Sequence, residues 1–191
     1  HIHDLDFLTL TTTCCQIDIE KLFRGGFCPG HGFLREPNDI QSYTALACIA
    51  IQSNQNDQHG GQSIPNFDYG MAHGVRKTYR KLYSRNLAKA LELFVGLENA
   101  DETTKEIREK VHAAHGLYPV LADDNGYRDF ELPELAGLAE ESTLIRAQAF
   151  AVEEAYKETK RATYQAMEAL VHNLNTMHSR AGAQVPFSSL N

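Results

Sequence analysis

Apolar residues recur at helical spacing over long stretches of this chain, and short β-rich runs separate them. From Tyr69 to about Gly96, Val75, Tyr79, Leu82, Leu87, Leu91 and Phe94 fall on one stripe and predict a helix. Ser142 to Asn173 predicts the longest helix, with Ile145, Phe150, Ala151, Ala155, Tyr164, Met167, Leu170 and Val171 roughly on one face. Ile40 to Gln52 (IQSYTALACIAIQ) is small and apolar almost all round, the pattern of a helix buried on several sides. Asn38 or Asp39 is placed to cap it.

Between these lie shorter elements. Leu8 to Thr13 is β-branched and Thr-rich, and the opening stretch His1 to Asp18 reads as an extended strand. Ile19 to Phe23 predicts a helical turn ended by Gly25 and Gly26, and Gly25 to Pro37 is an aperiodic Gly/Pro loop carrying Cys28 and His31. Gln62 to Phe67 and Val185 to Leu190 predict two more short strands. Glu98 to Leu132 is highly charged and reads as peripheral, with another helix beginning at Pro133. Short strands far apart, joined by long helical crossovers, make a helix-rich α/β fold with parallel pairing.

Composition narrows the class. Hydrophobic residues make up 42% and charged residues 23%, an ordinary soluble balance, and 191 residues are enough for one domain with a sizeable core. A net charge of -7 argues against a nucleic-acid binder, though not against an enzyme acting on nucleotides. No signal peptide and no apolar run of membrane-spanning length is visible, so no membrane partner is expected and a cytoplasmic location is the default. The four cysteines, two of them adjacent, lack the spacing of a secreted disulfide framework. His1 begins inside an expected strand and Asn191 stops just after another, which reads as one piece of a longer protein.

The candidate chemistry gathers on the first strand. Side chains alternate faces along a strand, so Asp4, Asp6 and Thr12 share the face of Cys14, and Cys15 takes the other. Carboxylates, hydroxyls and a thiol on one side suit a barrel interior or a cleft; a buried structural Cys pair is the plain alternative. Ser53 to Gly61 (SNQNDQHGG) is dense in side-chain amides, suited to a polar ligand or to knitting a loop to a sheet. Arg76, Lys77, Arg80, Lys81 and Arg85 form a basic helix face, which is more often a solvated surface than a phosphate site. His1 and His3 form an HxH pair with Asp4 following. With His31, His59 or His73 they would make a metal-dependent hydrolase, the rival reading. A non-catalytic assembly domain, in which the Ile40–Gln52 helix needs a partner, is a third.

The blocks HIHDLDF, TTTCCQID, GHGFLREP, IQSNQNDQHGGQSIPNFDYGMA and NLNTMHSRAGAQVPFSSLN occur here in order and spacing. Together they resemble the catalytic domain of the class III anaerobic ribonucleoside-triphosphate reductases, which are glycyl radical enzymes. The resemblance runs essentially end to end and is weakest between about Lys77 and Arg161. It implies a ten-stranded α/β barrel of which residues 1–191 supply the first half, without the ATP cone or the glycyl-radical domain. It implies an oxidoreductase converting ribonucleoside triphosphates to deoxyribonucleotides by thiyl and glycyl radical chemistry. The reductant would be formate or a thiol system, nucleotide effectors would bind near the dimer-interface helix, and zinc would sit in a C-terminal part. A radical-SAM activating enzyme and a homodimer are the implied partners. Since the radical segment, the loop-tip thiyl Cys and the zinc motif do not occur in it, this piece is expected to be inactive alone.

In that family a Cys on the first barrel strand acts as hydrogen donor, and the matching residue here is Cys14. Many relatives carry Asn-Cys-Cys where this chain has Thr13-Cys14-Cys15, which puts an Asn-like substrate contact in doubt. Thr13 still offers a hydroxyl. His3, Asp4, Gln55, Asn56, His59, Ser179, Gln184 and Ser188 fall in matched blocks and are the expected substrate contacts, with no metal ligand among them.

Overall fold

The structure is a computed structural model, described here for residues 14–29, 32–57, 60–121, 125–176 and 188–191. In chain order it contains β1 (Cys15–Gln16), α1 (Ile19–Phe23), α2 (Ile40–Asp57), β2 (Gln62–Ile64), α3 (Phe67–Val95), α4 (Ala100–His115), α5 (Tyr127–Leu135), α6 (Glu141–Thr176) and β3 (Ser188–Leu190). The result is helix-rich with a small three-stranded sheet of order β1-β2-β3, parallel throughout. The chain divides into two compact units, His1–Gly74 with Tyr164–Asn191, and Val75–Thr163.

In the first unit the turn signals act as expected. Asp18 caps α1 by accepting a hydrogen bond from Lys21 N at 3.0 Å, and Gly25 and Gly26 follow with φ of 79° and 87°. The Gly/Pro loop is tied across itself, since Phe27 and Leu34 exchange backbone hydrogen bonds of 2.8 and 2.7 Å. Asp39 is the residue that caps α2, accepting from Ser42 N at 2.9 Å. The all-round apolar character of α2 is satisfied within this chain: Ile40, Tyr43, Leu46, Ala47, Cys48, Ala50 and Ile51 are all buried. Burial pushes the Cys48 thiol pKa up, consistent with a packing role. The assembly reading, which needed this helix to lack cover, therefore loses its basis.

Gly70 and Gly74, one helical turn apart on α3, let that helix approach closely. A Cβ at Gly70 would run into Ile19, and one at Gly74 would stand 2.9 Å from the Tyr43 ring. Phe23 packs edge-on against the same ring with centroids 5.5 Å apart.

The second unit has its own core, built from Tyr79, Tyr83, Leu87 and Leu91 of α3, Ile107 and Val111 of α4, Tyr127 and Leu135 of α5, and Leu144, Ala147, Ala151 and Ala155 of α6. Gly116 ends α4 in the left-handed region at φ 69°, returning its N–H to the His112 carbonyl at 2.8 Å.

Several expectations change. The charged Glu98–Leu132 stretch is not peripheral: it contains α4 and most of α5, and it buries Ile107, Val111, Tyr127 and Glu131. Pro133 lies inside α5 rather than opening a helix. Helix α2 continues past Gln52 to Asp57, so Asn54, Gln55 and Asn56 sit on its last turns and not in a loop. On α6 the buried face is Leu144, Ala147, Gln148, Ala151, Ala155, Thr159, Ala166 and Leu170, while Ile145, Tyr164 and Val171 are 49%, 67% and 56% exposed. Half of the buried stripe is alanine, which permits close helix approach, and the larger apolar Ile145, Tyr164 and Val171 fall beside it. The expected strand over Leu8–Thr13 lies outside the described residues.

Candidate functional site

The sheet brings three distant pieces of chain side by side. Cys15 pairs with Gln62 and Gln62 with Ser188; Gln16 pairs with Ser63 and Ser63 with Ser189. Ile17 N donates to Ser63 O at 2.8 Å, and Phe67 N donates to Asn191 O at 2.6 Å, so hydrogen bonding continues past the strand ends. Paired residues of neighbouring strands share a face. Cys15, Gln62 and Ser188 therefore form one row, and Gln16, Ser63 and Ser189 the row on the opposite face.

The two faces differ in cover. Gln62 and Ile64 are buried, and their row packs toward α2, where Gln62 Nε2 donates to the Ile51 carbonyl at 2.9 Å. Asn54, near the end of α2, donates through Nδ2 to Gln62 Oε1 at 2.7 Å and to Cys15 Sγ at 2.8 Å. The other face is open. Cys14, one position before Cys15, is exposed, and with Cys15, Gln16, Gly61, Gln62, Ser63 and Ser189 it lines a hollow of about 470 Å³. A free thiol thus faces a hollow bordered by an amide and two hydroxyls. Such a surface can hold a polar ligand by hydrogen bonds and offer it an S–H.

The expected site residues separate as follows. Cys14 lines the hollow. Ser188 is in the row of Cys15, with its Oγ buried and without a hydrogen-bond partner within the described residues. Gln55 is buried at 4% exposure on α2, and Asn56 is exposed one position on. His3, Asp4, Thr13, His59, Ser179 and Gln184 lie outside the described residues, as do His1 and His31 of the hydrolase reading. His73 is 3.1 Å from Glu20, and among the described residues no group of three or more His, Cys, Asp or Glu is placed to hold a metal ion. On the basic face of α3, Arg80 lies 4.3 Å from the Tyr118 ring centroid and Arg85 pairs with Glu158 at 2.8 Å.

Gln16, Ser63, Ser189 and Asn54 were not singled out from sequence. The first three follow from strand alternation once the register is known. Asn54 carried only the general signal of an amide-rich segment.

The pattern of the anaerobic ribonucleoside-triphosphate reductase family matches the chain over residues 1–191. The chain belongs to this family. It is also similar to a protein named anaerobic ribonucleoside-triphosphate reductase from Enterobacteria phage T4, at 29% identity over 133 residues. That similarity covers 68% of this chain and 22% of the phage protein, so the chain spans a minor part of its relative's length. Cys28 is exposed in the loop and Cys48 is buried in α2.

Proposed function

We propose that this chain is the first part of the catalytic domain of an anaerobic ribonucleoside-triphosphate reductase and that Cys14 is its hydrogen donor. The observation that carries this reading is the family match over residues 1–191 combined with Cys14 exposed over the hollow of the sheet. In the complete protein, β1, β2 and β3 are the opening strands of a ten-stranded α/β barrel, with their open face toward its interior. Residues 1–191 form one piece of that domain. The glycyl radical and the zinc belong to segments elsewhere in the protein, and the described residues present no zinc-binding cluster.

When present, the glycyl radical supplies the oxidising equivalent that starts the reaction. Cys14 would hold its S–H at the mouth of the hollow and, once the sugar hydroxyl has left as water, give its hydrogen atom to the vacated carbon, which leaves a thiyl radical on the Cys14 sulfur. Formate or a thiol system then restores the reducing equivalents. Gln16, Ser63 and Ser189 orient the ribose by hydrogen bonds, together with His3, Asp4, Thr13, Gln55, Asn56, His59, Ser179, Gln184 and Ser188 as a group of contacts or supports. The protein works as a cytoplasmic homodimer, takes ribonucleoside triphosphates as substrates and nucleotides as effectors, and is activated by a radical-SAM enzyme. The metal-hydrolase alternative finds no support in the family match.

The test uses the full-length protein, activated anaerobically. Cys14→Ser abolishes deoxyribonucleotide formation while the glycyl radical still forms; turnover retained in that variant would sink the assignment.

A further inference from the structure

The adjacent thiols Cys14 and Cys15 invite the idea that they work as a redox pair. The geometry points elsewhere. Cys15 occupies the row facing α2, where its sulfur accepts a hydrogen bond from Asn54 Nδ2 at 2.8 Å. The same amide group donates to Gln62 Oε1 at 2.7 Å, and Gln62 Nε2 donates to the Ile51 carbonyl at 2.9 Å. Both N–H bonds of Asn54 are therefore spent on two neighbouring parallel strands, and Gln62 returns the connection to the helix backbone. Cys15 and Gln62 are register partners, so this link fixes β1 against β2 at the position next to Cys14. The two-residue strand β1 is otherwise held there by backbone bonds alone, from Cys15 N to Gly61 O at 3.3 Å and from Ile17 N to Ser63 O at 2.8 Å.

We propose that Asn54 is a positioning residue that acts through Cys15 and Gln62 to hold Cys14 over the hollow, with Cys15 serving as a hydrogen-bond acceptor and not as a redox thiol. The inference rests on the reading of Cys14 as hydrogen donor. A sulfur is a weak acceptor, but the Asn54 amide is half-buried, and an N–H left there without an acceptor carries a desolvation cost on top of the lost bond. Both cysteines border the hollow, but the Cys15 sulfur is half-buried and bonded to Asn54, which leaves Cys14 as the exposed thiol of the pair.

The experiment uses the full-length enzyme with its activating system. It measures glycyl radical content by EPR, kcat and KM for deoxyribonucleotide formation, and alkylation of each cysteine by iodoacetamide with mass-spectrometric readout. In the parent protein Cys14 is alkylated readily and Cys15 is protected. Asn54→Asp keeps the shape and removes both N–H donors. Cys15 then becomes reactive, and kcat falls about 10- to 100-fold with KM within about twofold and radical content unchanged, the cost of a misplaced reacting group. Cys15→Ser, which keeps an acceptor but loses the thiol, retains turnover within about threefold, whereas Cys15→Ala, which has no acceptor, falls with Asn54→Asp. These two variants carry the test if Asn54→Asp does not fold. Cys15→Ser as inactive as Cys14→Ser overturns this proposal alone, as does an Asn54→Asp enzyme with parental kcat. An active Cys14→Ser enzyme overturns the reading beneath it, and this proposal with it.

Discussion

Replacing Tyr83 with Phe tests whether the buried carboxylate of the second unit is held by its partners or merely tolerated. Glu131 is 1% exposed, and it accepts hydrogen bonds from Tyr83 Oη at 2.5 Å and from Gln148 Nε2 at 2.9 Å. The three residues come from α5, α3 and α6, so the carboxylate joins three helices. Removing the Tyr83 hydroxyl deletes one charge-assisted hydrogen bond, worth about 1.5–3 kcal/mol. For a chain of this length that is a fall in Tm of about 3–12 °C. Burial first, and then the Glu131 carboxylate, hold the Tyr83 phenol well above its ordinary pKa of 10.0. The folded state thus keeps the proton at a pH where the unfolded state releases it. The stabilisation is complete below about pH 10 and is lost as pH rises from there toward the folded-state value. Thermal unfolding of parent and Tyr83→Phe at neutral and at strongly alkaline pH should show two curves that converge as pH rises. In a Glu131→Gln background the charge is gone, and Tyr83→Phe should cost only about 0.5–1.5 kcal/mol. Equal costs in the two backgrounds, or a loss below about 0.5 kcal/mol in the parent, would refute the argument.

Two further predictions concern packing and capping in the first unit. Gly74→Ala gains about 1 kcal/mol of helix propensity but forces a Cβ to 2.9 Å from the buried Tyr43 ring and 3.1 Å from Ile40 Cα, an overpacking cost of about 1–3 kcal/mol. A net loss of about 1 kcal/mol in denaturant unfolding is expected, and a stabilised variant would show that the helices can separate without cost. Asp39→Ala removes the cap of α2 and should lower stability by about 1 kcal/mol, with Asp39→Ser restoring most of it; identical midpoints for Ala and Ser would mean the cap contributes nothing.

Much of the fold was legible because helical period and turn chemistry are local. The stripe from Val75 to Phe94 predicted a helix over 69–96, and α3 runs Phe67–Val95. The small-residue run from Ile40 marked α2 and left its cap between Asn38 and Asp39, but gave no stop signal before the amides, so the helix continues to Asp57. What failed depended on distant partners. Glu131 sits in a charged stretch and reads as solvated, and partners such as Tyr83 and Gln148, 48 and 17 residues away, make its burial tolerable. On α6 the expected Ala151, Ala155 and Leu170 are buried, but residue size misled at Ile145, Tyr164 and Val171, which are exposed while the small Ala147 is buried.

The site shows the same division between local rule and distant partner. Strand alternation predicts that Cys14 and Cys15 face opposite ways, and no local rule says which face is covered. The distant partner here is Asn54, whose amide bonds the half-buried Cys15 sulfur while Cys14 stays exposed at the hollow. The register then sorts the two serines of β3: Ser188 stands beside Gln62 in the row of Cys15, and Ser189 beside Ser63 in the row opposite. A slip of one residue in β3 would exchange them. The expected chemistry of the hollow therefore rests on parallel pairing between segments about 45 and 125 residues apart, which strand composition alone does not encode. Ser189→Ala should accordingly raise KM for the ribonucleotide more than Ser188→Ala does in the full-length enzyme, and the reverse order would place the ligand on the other face of the sheet.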